Sequence, residues 1–321
     1  MSEGLHIVST GEPSVETTEQ YARRIDNVGL PSAIEPYIEQ YESAVGERDR
    51  FVWKWVYDQF DRITLPTVSP SAARRVRETK LLLTLYVTTT DDVVERWDDR
   101  ETFTAARQIT RGEEPGETSR PAVVSFLQSV WDEIDERLRA APRYEEFREL
   151  FAFDLRQVWT AVDYSRVFDD CVANADELRR YDTHNMVVFP YAGVDLMHSP
   201  SFDRSELGAL RALLWQLQVM ARIGNWLSTW ERELTEGDYA SGVVVRAIEQ
   251  GIVDPASVEE AGSLADAIRD HDVEDQLLAE WERTERIAAM KADRVDCFDA
   301  SQLVDGMRDV LGHHLASDGL K

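Results

Sequence analysis

The sequence predicts a single all-helical domain, and two observations support this prediction. Apolar residues recur at three- and four-residue steps over long stretches, which places them on one face of an α-helix. The 321 residues also contain no repeat, no low-complexity tract and no change in composition that would mark a linker. We therefore treat residues 1–321 as one domain and expect about 1–14 and 315–321 to be flexible.

The clearest helix is expected from Asp203 to about Glu233, where the apolar stripe is continuous. Asp203 and Glu206 have the spacing of a capping box at its start. A second long helix is expected from Tyr144 to Arg179. Further helices are expected at about 15–44, 47–63, 71–100, 120–139, 239–250, 263–295 and 299–314.

At three places, individual residues mark a helix end or disfavour a helix. Gly251 has the position of a helix stop, and Asp254 followed by Pro255 has the pattern of an N-cap and a first-turn proline. Leu81–Thr90 is rich in β-branched residues, which favour strands, and Met186–Val194 contains a proline that kinks or interrupts a helix. Both segments are expected to be helical, because an isolated strand in an all-α chain has no partner.

The composition is strongly acidic, with 61 Asp plus Glu against 35 Lys plus Arg and a net charge of -26. Such a surface repels phosphate backbones and anionic headgroups, so we expect no nucleic-acid partner and no membrane association. No run of 18 apolar residues and no signal-peptide pattern is present, which predicts no membrane insertion. The two cysteines, Cys171 and Cys297, indicate neither a disulfide framework nor a zinc site, which favours the cytoplasm. An acid-rich chain with only four lysines also suits the salt-rich cytoplasm of a halophile.

A carboxylate cluster follows the apolar run at 81–87. Asp91 and Asp92 are followed by Glu95, and on a helix Asp91 and Glu95 share one face. Stacked carboxylates repel unless a cation lies among them, and Mg²⁺ prefers such oxygen ligands. In a chain this acidic, a three-acid pattern arises by chance roughly twice, as it does at 132–136, so a solvated helix face is the alternative.

A second polar face lies on the helix expected at 203–233. Asn225, Thr229 and Glu233 fall within about 80° of one another on a helix and supply three kinds of oxygen ligand. Arg232 lies beside them and has the charge to meet a phosphate. The alternative is an exposed polar stripe on an amphipathic helix.

The two patterns together resemble the metal-binding motifs of class I terpene synthases. The segment Asn225–Glu233 matches the (N/D)xxx(S/T)xx(K/R)E pattern, and Asp91–Glu95 resembles the aspartate-rich motif that precedes it. Arg179 lies 46 residues before the asparagine, where bacterial members carry a diphosphate-sensing arginine. Asp182 and Thr183 then stand at the positions of the acidic linker and the effector residue. The resemblance covers roughly residues 50–250.

This resemblance implies a bundle of about ten to twelve helices around a central active-site cavity. It implies Mg²⁺ as cofactor, three ions with substrate bound, with Mn²⁺ as an alternative. The implied substrate is farnesyl or geranylgeranyl diphosphate, which is ionised and then cyclised. The implied oligomeric state is a homodimer, because members of the family often form homodimers. The implied metal ligands are Asp91, Asp92, Glu95, Asn225, Thr229 and Glu233. The implied catalytic residues are Arg179, Asp182 and Thr183, and the implied diphosphate-binding residues are Arg179, Arg232 and Arg308.

Two departures from the family pattern bear on activity. Trp226 stands where the family usually has Asp, and the C-terminal Arg-Tyr pair is absent, so Arg308 is the candidate to replace it. His313 and His314, close by, are expected to be surface residues of a fraying tail.

A carbocation needs a dry pocket with aromatic faces. Aromatic residues at helical spacing predict such a lining at Trp53, Tyr86 and Phe189, with ordinary core packing as the alternative. Three other functions stay open: prenyl-chain elongation, capture of the cation by water, and a non-catalytic protein of the same fold. An elongase would carry a second aspartate-rich motif, where this chain has Asn, Thr and Glu.

Overall fold

The computed structural model describes residues 18–167, 174–254 and 261–317, which contain helices and turns but no β-strand. The all-α prediction is confirmed, with fourteen α-helices in these residues where about ten to twelve were expected. They are α1 (Thr18–Asp26), α2 (Glu35–Ala44), α3 (Arg50–Ile63), α4 (Ala73–Glu95), α5 (Arg100–Ile109), α6 (Pro121–Arg139), α7 (Tyr144–Val167), α8 (Ala175–Arg180), α9 (Val188–Met197), α10 (Leu207–Thr235), α11 (Gly242–Glu249), α12 (Ala261–Arg269), α13 (Val273–Ala292) and α14 (Ser301–Ala316). None of the helices in the described ranges is both long and apolar enough to cross a bilayer.

The second long helix predicted from the sequence is two separate helices, α7 and α8. The side chain of Asn174 accepts a hydrogen bond from the backbone N of Glu177 at 2.9 Å, which is an N-cap and marks the start of a new helix. The helix expected at 263–295 is likewise divided, because Asp272 adopts a φ of +53° between α12 and α13. Pro255, predicted to lie in a first turn, is outside the described residues.

The β-branched segment Leu81–Thr90 lies inside α4, as predicted. The hydroxyls of Thr84, Thr89 and Thr90 each donate to the carbonyl oxygen four residues earlier, at 2.7–2.8 Å. This back-bonding lets threonine sit in a helix that its strand propensity opposes. The helix at Met186–Val194 begins only at Val188, so its proline falls in the first turn, where no hydrogen bond is lost.

Two helix-end predictions have different outcomes. Gly251 ends α11 with a φ of +69°, as the stop signal predicted. The capping box at Asp203 does not form: Asp203 accepts from the backbone N of Ser205, while Glu206 accepts from the backbone N of Asp296 and so does not reach back. The second contact instead ties the start of α10 to the loop before α14.

The C-terminal histidines are buried, not frayed, which corrects the prediction for them. α14 continues to Ala316. His313 Nδ1 lies 2.8 Å from the hydroxyl of Tyr21, and His314 Nδ1 lies 3.1 Å from Ser228 Oγ. These contacts attach α14 to both α1 and α10.

An ion pair in the core joins α4 to α9. Lys80 Nζ lies 2.7 Å from Asp195 Oδ1, and both side chains are essentially inaccessible to solvent. Lys80 also donates to Thr64 Oγ1, and Asp195 accepts from the backbone N of Leu65. The pair therefore fixes the end of α3 against two central helices.

Candidate active site

A cavity of about 920 Å³ lies between α3, α4, α10, α14 and the chain from α8 to α9. Its α3, α9 and α14 walls are mainly apolar and aromatic. One end is polar, where α4 and α10 face each other. Functional side chains predicted on two distant parts of the sequence therefore meet around one space.

The polar face of α4 consists of side chains spaced three and four residues apart. Thr84, Thr88, Asp91 and Glu95 all line the cavity. Because an α-helix rises about 1.5 Å per residue, Asp91 lies about 10 Å along the helix from Thr84. The two carboxylates therefore lie at one end of the cavity and the two hydroxyls deeper inside it.

The polar face of α10 follows the same spacing. Asn225, Thr229 and Glu233 line the cavity, with Arg232 beside them. Thr229 Oγ1 donates to the backbone carbonyl of Asn225 at 2.9 Å, which leaves its lone pairs for another partner. The oxygen-bearing side chains predicted on this helix thus share one wall.

The two faces concentrate negative charge. Burial and the neighbouring Asp92 raise the pKa of Asp91 to about 7, although Asn185 donates to Asp91 Oδ1 at 3.3 Å. Burial raises the pKa of Glu95 well above its usual value, and Asp91 and Asp238 add to the shift. The side chain of Glu95 lines the cavity and is accessible to solvent. Burial also raises the pKa of Glu233.

A divalent cation with oxygen ligands fits this donor set, because it would offset both the burial and the mutual repulsion that raise these pKa values. Among the residues that the structure describes, no group of three or more Asp, Glu, His or Cys side chains is close enough to form a metal site alone. The donors stand on opposite walls, so water or a ligand would have to supply the remaining oxygens to any cation bound there.

Asp92, predicted as a metal ligand, does not line the cavity. It is fully buried, accepts from Arg48 Nη2 at 2.6 Å and lies 3.2 Å from Arg96 Nε. One residue along a helix is a rotation of about 100°, so Asp91 and Asp92 cannot face the same space.

Arg222 is a cavity residue that the sequence analysis missed. Its Nε and Nη2 lie 2.5 and 2.8 Å from the two carboxylate oxygens of Asp182, and its Nη1 donates to Asn225 Oδ1 at 2.7 Å. Arg222 lies three residues before Asn225, which puts both side chains on the same face of the helix. This spacing is the feature of the sequence from which Arg222 could have been predicted.

The other predicted diphosphate residues are placed differently. Arg179 does not line the cavity, because its Nη1 is paired with Glu280 on α13 at 2.6 Å. Thr183 is buried and donates to the carbonyl of Arg179. Arg308 is half exposed on α14 and pairs with Glu285. Of the three predicted arginines, only Arg232 lines the cavity.

The three predicted pocket aromatics lie in the packed core and not on the cavity, which corrects that prediction. Trp53 packs edge-on against Tyr41, and the hydroxyl of Tyr86 donates to the carbonyl of Ala106. Phe189 lies against His184. The cavity is lined instead by Trp55, Phe60 and Tyr191. Trp55 is two residues, or about 200° of helix, from Trp53, so the predicted spacing was offset by half a turn.

The segment Asp182–Met186 contacts both polar faces. Asp182 binds Arg222 on α10, and Asn185 binds Asp91 on α4. The next residue, Val187, has a φ of +58°, a backbone conformation that β-branched residues rarely adopt. This segment therefore joins the two walls at a strained turn.

We predict that His184, in this segment, makes stability depend on pH. Its ring lies among Trp215, Phe189 and Gln218, and burial, with Arg211 nearby, lowers its pKa to about 4. In the unfolded chain the pKa is about 6.5, so between these values the unfolded state binds the extra proton. The stabilising contribution is therefore complete above about pH 6.5 and is lost as the pH falls toward 4.

Part of the ring reaches solvent, which reduces the expected effect. We expect the free energy of unfolding of the wild type to fall by about 2 kcal/mol between pH 7 and pH 4 because of His184, and we expect His184→Gln to abolish this part of the fall. Urea denaturation of both proteins at pH 4.5 and 7 measures it. Identical pH profiles for the two proteins would contradict the prediction.

No protein-family model matches the sequence, and no curated protein matches it. Among solved structures, the chain is similar to the farnesyl diphosphate synthase of T. brucei, with a TM-score of 0.50 and 9% identity over 92% of this chain and 95% of that one. The similarity shows that the chain has the isoprenoid synthase-like fold, a helical bundle around a cavity.

Proposed function

We propose that this protein is a class I terpene synthase. It would ionise an allylic prenyl diphosphate, farnesyl or geranylgeranyl, release diphosphate and cyclise the carbocation to a terpene hydrocarbon or alcohol. The observation that supports this most is the division of one cavity into an oxygen-rich end and an apolar, aromatic remainder. With divalent cations bound at its oxygen-rich end, such a cavity would suit a ligand with an anionic head and a hydrocarbon tail.

The metal-binding residues in this proposal are Asp91 and Glu95 on α4 and Asn225, Thr229 and Glu233 on α10. Three Mg²⁺ ions, or Mn²⁺ in their place, would neutralise the charge that develops on the departing diphosphate. Asp92, which the sequence pattern includes, would hold α4 in place through Arg48.

The chain's own cations and aromatic rings complete the proposed site. Arg222 and Arg232 are the cavity arginines on the metal-binding helix, and they would bind the diphosphate oxygens. Trp55, Phe60 and Tyr191 present rings to the apolar part, where π faces stabilise a cation. The apolar walls would limit the access of water to the cation.

Prenyl-chain elongation is the second candidate, because a solved structure with a similar fold is a farnesyl diphosphate synthase. Its signature would be dependence on a second, homoallylic diphosphate and a product longer than the substrate. A non-catalytic protein of this fold would give neither reaction.

The test is incubation with farnesyl or geranylgeranyl diphosphate, with and without Mg²⁺, at high salt because of the net charge of -26. We expect Mg²⁺-dependent diphosphate release and a terpene product detected by gas chromatography and mass spectrometry. Asn225→Ala should abolish both, while Glu136→Ala, an exposed carboxylate of α6 outside the cavity, should change neither. Release only with isopentenyl diphosphate would indicate elongation, and no release would reject the enzyme.

A further inference from the structure

The start of α11 faces the cavity. Ala240 and Ser241, the two residues before this helix, line the cavity wall. The first intrahelical hydrogen bond runs from the backbone N of Val245 to the carbonyl of Ser241, at 2.9 Å. The N–H groups of Gly242 and Val243 therefore have no acceptor inside the helix, and the helix dipole adds partial positive charge at this end.

Ser241 occupies the N-cap of α11 without capping it. Its side chain makes no hydrogen bond to the helix, and its Oγ has no partner among the residues that the structure describes. The residue is only 2% exposed. A buried hydroxyl without a partner is costly, and beside a helix N-terminus it points to a ligand that accepts hydrogen bonds.

Trp226 sets the position of the start of α11 relative to the polar face of α10. A Cβ atom on Gly242 would lie 2.4 Å from the Trp226 ring, so only glycine permits this contact. Trp226 directly follows Asn225, and the guanidinium of Arg222 lies 5.6 Å from its ring centre. The unusual tryptophan therefore holds the start of α11 against the polar end of the cavity.

We propose that the start of α11 is a phosphate-binding subsite for the terminal phosphate of a diphosphate. The Oγ–H of Ser241 and the N–H groups of Gly242 and Val243 donate to its oxygens, and Arg222 supplies charge from the adjacent helix. This subsite rests on the proposed function, because it receives the diphosphate of the same substrate.

Asp238 makes binding dependent on a divalent cation. Its carboxylate lies at the same end of the cavity and accepts from the backbone N of Ala240 at 2.8 Å. A bare phosphate would be repelled by it. The subsite should therefore bind inorganic pyrophosphate with Mg²⁺ present and not without it.

The test measures binding of inorganic pyrophosphate and of inorganic phosphate to the intact chain by calorimetry, each with Mg²⁺. Ser241→Ala should weaken pyrophosphate binding about tenfold, the loss of one hydrogen bond to a charged group. Ser241→Asp places a carboxylate where the phosphate would bind, so it should weaken pyrophosphate binding more than a hundredfold.

Ala72→Asp is the matched control, because Ala72 is the uncapped N-cap of α4 and lies outside the cavity. It should leave pyrophosphate binding unchanged. Wild-type affinity in Ser241→Asp, or equal affinity of the wild type for phosphate and pyrophosphate, would overturn the subsite. If the protein still turns over a prenyl diphosphate with Mg²⁺ while one of these two results is found, the subsite is wrong and the proposed function stands. If there is no turnover, both the subsite and the proposed function are rejected.

Discussion

Lys80→Met is expected to lower the free energy of unfolding by about 3–5 kcal/mol. The substitution keeps the length of the side chain but leaves the Asp195 carboxylate buried without its cation. Burial already raises the pKa of Asp195, while Lys80 opposes that shift. Urea denaturation followed by circular dichroism measures the effect.

Two further variants make this prediction specific. Lys80→Met combined with Asp195→Asn removes both charges and should recover part of the lost stability, because no unpaired charge remains. Lys54→Met removes a partly exposed lysine from α3 and should cost less than about 1 kcal/mol. A Lys80→Met protein as stable as Lys54→Met would show that the pair is not buried as described.

The neighbouring carboxylates Asp91 and Asp92 are expected to give opposite phenotypes. Asp91→Asn should reduce Mg²⁺-dependent diphosphate release about a thousandfold, since metal assistance contributes several kcal/mol to such a reaction. It should not lower stability, because it removes a carboxylate whose charge is disfavoured by burial. Diphosphate release and the melting temperature are the two measurements.

Asp92→Asn should lower the free energy of unfolding by about 2 kcal/mol, because Arg48 loses the charged partner of its hydrogen bonds. The protein that remains folded should retain Mg²⁺-dependent release. Each variant is the control for the other, since both change one carboxylate to an amide of the same shape. Loss of release in Asp92→Asn with unchanged stability would place Asp92 among the metal ligands and contradict a purely structural role for its ion pair with Arg48.

Helical periodicity predicted the fold class and which side chains share a face. The face of Asn225, Thr229 and Glu233 follows from their spacing, because the geometry of one helix fixes it. Periodicity does not fix the rotation of a helix relative to its neighbours. For that reason Trp53 was predicted on the cavity in place of Trp55.

Position along the chain was also a poor guide across a helix break. Arg179 was assigned by its distance from Asn225, but α8 ends one residue later and the side chain turns to Glu280. The cavity arginine, Arg222, lies within the same helix as Asn225, where spacing determines direction. The sequence predicted contacts within a helix better than contacts between helices, because the latter depend on packing.

The segment Asp182–Met186 has a consequence for how ligands influence one another. A cation that displaces Asn185 from Asp91 and an anion that draws Arg222 away from Asp182 act on the same five residues. If both ligands bind as proposed, the free energy of rearranging that segment is spent only once, and the binding of one ligand would strengthen the binding of the other. Thermodynamic linkage requires reciprocity: the factor by which the cation strengthens anion binding equals the factor by which the anion strengthens cation binding.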